Sequence, residues 1–191
     1  MQCPPQRRTA ARFVLVIGWL LSGACLPATN ASPAPGLVGG IRLDMLPQGW
    51  RDDRNQAFAL NDLAGRRVVL TMAYANCHRI CPMTINALKD LQSSLDARGE
   101  QADFVIVGYD PDNEDAATWH QYRRSHHLPR ANWHFLSGSH DDTEQLARQL
   151  GFSFWKYDEH VMHESRAVVF DARGLLTAEF GPDTRGWTAA L

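Results

Sequence analysis

The chain predicts an α/β domain, a sheet with helices packed on its faces. Three observations carry that expectation. Two continuous β-rich apolar runs, 68–74 and 104–109, have the composition of strands covered on both sides. Between them Ile85, Leu88, Leu91 and Leu95 recur at the spacing of one buried helical face. Late in the chain, 165–180 reads as a β-hairpin around Asp171-Ala-Arg-Gly174. Strands alternating with helices are the pattern of an α/β sheet.

The elements follow in order. Arg7, Arg8 and Arg12 precede the apolar run 13–26, and small residues follow it. This is the layout of an export signal, and fourteen residues are fewer than the roughly 20 a membrane span needs. Residues 1–31 are therefore expected to be a signal peptide or N-terminal anchor. Lipidation at Cys25 is a further possibility. Ala, Pro and Gly make 32–40 a linker, and 41–191 is the expected domain. From Ile41 to Leu60 the pattern is irregular, with short strands expected around 41–43 and 57–60. A turn is expected at 61–67. The run 68–74 is the first long strand. A helix follows, with Pro82 suited to its first position, where a missing N–H costs nothing, and Arg98-Gly99 ends it. The run 104–109 is the next strand. Asp110-Pro-Asp-Asn113 turns the chain into a helix over 115–126. A short helix spans 141–150, then the hairpin, and helical residues are expected again from Thr184.

Composition narrows the function classes. The chain has 191 residues, enough for one domain after a leader is removed, and 45% of them are hydrophobic. Lys and Arg number 19, three of them in the leader, against 21 Asp and Glu, so the remaining domain carries about −5. An acidic domain without a basic stripe is a poor nucleic-acid binder. Beyond the linker there is neither an internal repeat nor a low-complexity tract.

The chemistry centres on Cys77 and Cys81, in Tyr74-Ala-Asn-Cys-His-Arg-Ile-Cys-Pro82. They sit where a strand gives way to a helix, and the other two cysteines, Cys3 and Cys25, belong to the leader. A helix start stabilises a thiolate, which is both the nucleophile of disulfide exchange and a metal ligand. Spacing of four residues permits either use. Structural zinc takes four N or S ligands, more than this pair supplies. Two thiolates with one imidazole suit Cu(I), which soft donors select. Outside the cytosol the pair oxidises unless it is kept reduced or held by a metal.

Three separated motifs together resemble the Sco/SenC family. They are Cys77-His-Arg-Ile-Cys81-Pro82, the Asp110-Pro111 turn, and the stretch from Val161-Met-His163 to Asp171-Ala-Arg-Gly174. The resemblance spans roughly 44–180. It implies a thioredoxin-like fold, a central mixed sheet flanked by helices. It implies an exported copper metallochaperone that serves cytochrome c oxidase assembly, a carrier rather than an enzyme. By the same resemblance Cys77, Cys81 and His163 are the metal ligands. The cargo is copper, held as Cu(I), with Cu(II) as a second form. The implied partners are the copper-binding subunit of the oxidase and an upstream copper donor or thiol reductant. The implied location is periplasmic or otherwise extracytoplasmic, with a possible inner-membrane anchor. This sequence departs from the family pattern in its His-Arg-Ile insert, in a short segment over 152–162, and in ending where a terminal helix is expected.

The rival reading is a thiol–disulfide oxidoreductase. In it Cys77 attacks, Cys81 resolves and His163 tunes a pKa, with the oxidase's own copper-site cysteines as a target. A peroxidase fits less well, since its site is built on one reactive Cys. His160 is the main competitor to His163, and His78 lies between the thiols. Met162 and Met83 offer thioether sulfur but more often fill cores. His120, His126, His127, His134 and His140 read as solvated positions on helices or loops. Trp119, Trp133 and Trp155 read as packing residues, and Asp110 as a turn former that also shapes the floor of the site.

Overall fold

The computed structural model describes residues 40–77, 80–158, 160–183 and 187–188, with backbone alone at 80 and 81. The expected leader, linker and terminal helix start at Thr184 lie outside the described residues, as does His78.

The two long apolar runs form β3 (Val68–Ala73) and β4 (Asp103–Gly108), every residue of each being buried. They pair in parallel, from Val68 opposite Asp103 to Ala73 opposite Gly108. The crossover between them is α1 (Ile80–Ala97), as a parallel pair requires. Its four spaced apolar residues, Ile85, Leu88, Leu91 and Leu95, are all fully buried. Each contributes about 1.5–3 kcal/mol by leaving water. The helix begins at Ile80, so Pro82 is its third residue and not its first. It is still tolerated, because the first four N–H groups of a helix lack partners inside it.

From β4 the chain crosses through α2 (Ala116–Ser125) to β5 (Trp133–Ser137), parallel to β4. Asp115 caps α2, its carboxylate accepting from the Thr118 N–H at 2.8 Å. Strand β5 was not expected, because five residues ending in a serine leave a weak pattern. It brings Trp133 onto Phe104, ring centroids 4.7 Å apart, and the indole N–H donates to Gln92 of α1 at 2.6 Å. His134, expected on a loop or helix, is half-buried on this strand and bonded to Asp103 at 2.8 Å. Next, α3 (His140–Leu150) starts one residue earlier than expected, capped by Ser139.

The remaining strands complete a mixed sheet of seven strands among the described residues. Strand β8 (Ala167–Phe170) lies antiparallel beside β3, and β9 (Leu176–Phe180) pairs with β8 as the expected hairpin. At the other end β1 (Trp50–Asp52) pairs antiparallel with β5 and with β2 (Ala57–Phe58). The order is β2-β1-β5-β4-β3-β8-β9. Strands were expected at 41–43 and 57–60. The first is only a bridge from Arg42 to Leu175 beside a 3-10 turn, and the second ends at Phe58. The turn expected at 61–67 opens with the 3-10 turn Leu60–Leu63, which buries both leucines. Outside the main sheet, β6 (Phe154–Tyr157) and β7 (His160–His163) form a separate two-stranded hairpin.

Candidate metal centre

The candidate site residues come from three places in the chain. Strand β3 ends at Ala73, and Cys77 follows in a tight turn whose N–H donates to the Tyr74 carbonyl at 2.9 Å. Cys77 is half-buried and borders an open groove of about 550 Å³ against α2, with Asn76, Pro82, Tyr122 and His126. Cys81 is the second residue of α1. A helix start is a setting that stabilises a thiolate.

His163 arrives from the far end of the sequence. It closes β7 and is 6% exposed. Its imidazole stacks on Tyr109, the residue after β4, at 4.9 Å between centroids. Nδ1 lies 3.1 Å from the Glu164 carbonyl. A carbonyl can only accept, so Nδ1 carries the hydrogen and the neutral ring has its lone pair on Nε2. Metal-bound imidazoles are commonly held this way, through the nitrogen that does not touch the metal. Alternation along β7 separates the competitors. Val161 and His163 are buried, while His160 and Met162 are exposed on the other face. Met83 is exposed on α1 at 57%.

Two hydrogen bonds link this imidazole's segment to the thiol-bearing segment. The Ser165 and Thr84 hydroxyls are 2.7 Å apart and buried, tying the segment after His163 to the N-terminal part of α1. The Thr71 hydroxyl of β3 donates to the Arg166 carbonyl at 2.5 Å. The stretch 164–166 is thus fixed both to the strand before Cys77 and to the helix that carries Cys81.

Glu114 escaped the sequence reading. Its carboxyl is 1% exposed and accepts from two backbone N–H groups, Ala75 at 2.5 Å and Asp110 at 2.9 Å. It therefore joins the turn leading to Cys77 to the turn after β4. Burial pushes its pKa up to about 8, against the pull of those donors. The signal for it was Gly108, where a Cβ would collide with the Glu114 carboxyl. Asp110 is buried as well, with Asn113 donating to it at 2.7 Å. Lys156 of β6 stands 3.7 Å from its other oxygen and 3.6 Å from Asp112. Asp110 thus both turns the chain and floors a small cavity of about 390 Å³ with Tyr74, Asn76 and Lys156. Trp119 and Trp133 are core, as expected, but Trp155 is 54% exposed. It is the register partner of Met162 on the outer face of its hairpin.

Another cavity, of about 650 Å³, opens where β3 and β4 begin. Its arginines are paired, Arg66 with Asp103, Arg67 with Glu100 and Arg130 with Asp96. It offers neither thiol nor imidazole.

A mixed sheet with crossover helices, a thiol pair at the end of a central strand and an imidazole entering before a late strand defines a thioredoxin-like domain. The chain belongs to the SCO1/SenC family, whose model matches residues 50–190. It is similar to a protein of Stutzerimonas stutzeri to which copper binding is ascribed, 28% identical over 104 residues. That match covers 54% of this chain and only 50% of the relative. Among solved structures it resembles Arabidopsis thaliana ScoI with copper bound, with a TM-score of 0.67 at 17% identity. The likeness covers 81% of this chain and 94% of that one. BsSco, described as having a disulfide switch and as a member of the Sco family of cytochrome c oxidase assembly proteins, gives 0.61 at 23% identity. That likeness covers 70% of this chain and 80% of BsSco.

Proposed function

We propose that this domain is a copper carrier that binds Cu(I) through the Cys77 and Cys81 thiolates and His163 Nε2. It hands the ion to a thiolate-containing site on a cytochrome c oxidase subunit by ligand exchange. The observation that carries the reading is the orientation of His163. It is the buried histidine of β7, it donates through Nδ1 to a backbone carbonyl, and its neighbours Ser165 and Arg166 are hydrogen-bonded to α1, which carries Cys81, and to β3, which precedes Cys77. Soft thiolates with one neutral imidazole form a donor set that selects Cu(I). The open groove beside Cys77 leaves a path for an incoming partner thiolate. The positive n-region and apolar run at the N-terminus support an extracytoplasmic site of action, with anchoring to the inner membrane if the leader is retained. No helix among the described residues is long and apolar enough to cross a membrane.

The test is anaerobic Cu(I) titration of the reduced chain against a competing chelator. One tight equivalent is expected, lost in Cys77→Ser and in Cys81→Ser. His163→Ala should weaken it by about ten-fold or more, since even residues that only orient a ligand cost that much. His160→Ala should leave this site unchanged. Loss on His160→Ala with retention on His163→Ala would overturn the ligand set.

A second reading is supported by the same thiols. Cys77 is half-buried at an open groove, and the similar BsSco is described as having a disulfide switch. In that reading Cys77 attacks a partner disulfide and Cys81 resolves the mixed disulfide, so the partner is reduced and this pair oxidised. Two-electron turnover on a disulfide substrate without copper, together with the absence of a tight Cu(I) site, would favour it.

A further inference from the structure

The outer face of the β6–β7 hairpin has no part in the carrier chemistry, yet it gathers soft and aromatic groups. Five large apolar side chains are exposed among the described residues, and three of them are Trp155, Tyr157 and Met162. Their exposures are 54%, 71% and 42%. The register places Trp155 directly opposite Met162 and Tyr157 directly opposite His160. Residues two apart on a strand share a face, so all four project from one side. The opposite side is fixed by packing. Phe154 and His163 both lie against Tyr109, at 5.0 and 4.9 Å, and Val161 is buried. The hairpin cannot turn over to hide its outer face without losing that inner contact.

We propose that His160, Met162 and Trp155 form a second, outer site for a soft monovalent ion, Cu(I) or Ag(I). A thioether is a weak ligand for hard ions but suits Cu(I), and a neutral imidazole adds a nitrogen donor. An indole face opposite the sulfur attracts a cation through its ring quadrupole. Directly opposed residues in an antiparallel pair have Cβ atoms about 4.5–5.5 Å apart, within reach of one ion for side chains as long as Met and Trp. Neither a thioether nor an indole is a thiolate, so this site binds less tightly than a two-thiolate centre. That order suits a landing position from which an ion moves inward across the strand to His163, the next residue after Met162. The outer site rests on its own donors and does not require Cys77, Cys81 or His163 to hold copper.

The experiment uses the full chain with Cys3, Cys25, Cys77 and Cys81 all replaced by Ser, titrated with Ag(I) as a redox-inert probe. Methionine methyl carbons are followed by NMR. One equivalent is expected to move the Met162 methyl and to quench Trp155 emission. Both changes should vanish in Met162→Leu and in His160→Ala and persist in His163→Ala. Each substitution at 160 and 162 lies on an exposed face, so the fold should survive. An absence of Ag(I) binding, binding that survives both outer substitutions, or a shift confined to Met45 or Met83 would overturn the proposal. Should the cysteine-free chain fail to fold, the unsubstituted chain serves. There the Met162 methyl must move as a separate step after the thiols are saturated, and its failure to move counts against the site.

Discussion

At the scale of single residues, two side chains set the properties of this site, and only one was visible in the sequence. His163 could be picked out because a late His followed by a strand is spaced as the family motif requires. Its tautomer could not, since that depends on where the Glu164 carbonyl points. Glu114 left almost no trace, because its partners are backbone amides 39 and 4 residues upstream. Its chemistry gives a pH prediction. The buried carboxyl has its pKa raised from 4.5 to about 8 in the folded chain. A group raised on folding favours the folded state most below its unfolded pKa, and that advantage is lost as pH rises through the folded value. Stability relative to Glu114→Gln should therefore fall between about pH 4.5 and 8, by at most roughly 5 kcal/mol, and level off outside that window. Denaturant unfolding of the reduced, metal-free proteins at several pH values reads this directly. A constant difference across the range would show that the two amides hold a carboxylate throughout. The substitution itself should cost about 1–3 kcal/mol at low pH, because an amide N–H₂ then faces a backbone donor.

At the scale of elements, legibility followed length and pattern. Strands β3 and β4 and helix α1 were clear because continuous apolar runs and a four-residue stripe leave few alternatives. Strand β1 has three residues and β5 has five, too few for a periodic signal. The β6–β7 hairpin was missed because its outer face carries Trp155, Tyr157 and Met162 where polar residues mark a solvent face, and Lys156 lies on the inner side. Tertiary pairing with Tyr109 decides its structure instead. The joint between α1 and the segment after His163 is the Thr84–Ser165 hydroxyl pair. Ser165→Ala leaves a buried Thr84 hydroxyl with a lost partner and should cost about 1–2 kcal/mol. It removes no metal donor, yet it frees the segment after His163 from α1. Cu(I) affinity should fall while one equivalent still binds. Unchanged affinity at reduced stability would show that β7 alone fixes the imidazole.

At the scale of the molecule, every strand among the described residues lies between Trp50 and Phe180, and the family match runs over 50–190. Removing residues 1–39 should therefore leave the thermal midpoint of the remaining chain within a few degrees of the full chain, as measured by circular dichroism. A large drop would mean that the N-terminal stretch contributes to the core. The α/β class and its mixed sheet were legible because crossover helices alternate with buried strands. The strand order was not, since it depends on pairings such as β1 with β5 between residues more than eighty positions apart. One feature of this architecture also reaches into the timing of local motion. The Glu114 carboxyl is the shared acceptor for the amides of Ala75 and Asp110, one from each turn at the C-terminal end of the central strands. Withdrawing the carboxyl releases both, so these two amides should exchange their hydrogens with solvent in one joint opening. Their exchange rates should rise and fall together across temperature and denaturant, although thirty-five positions of sequence separate them.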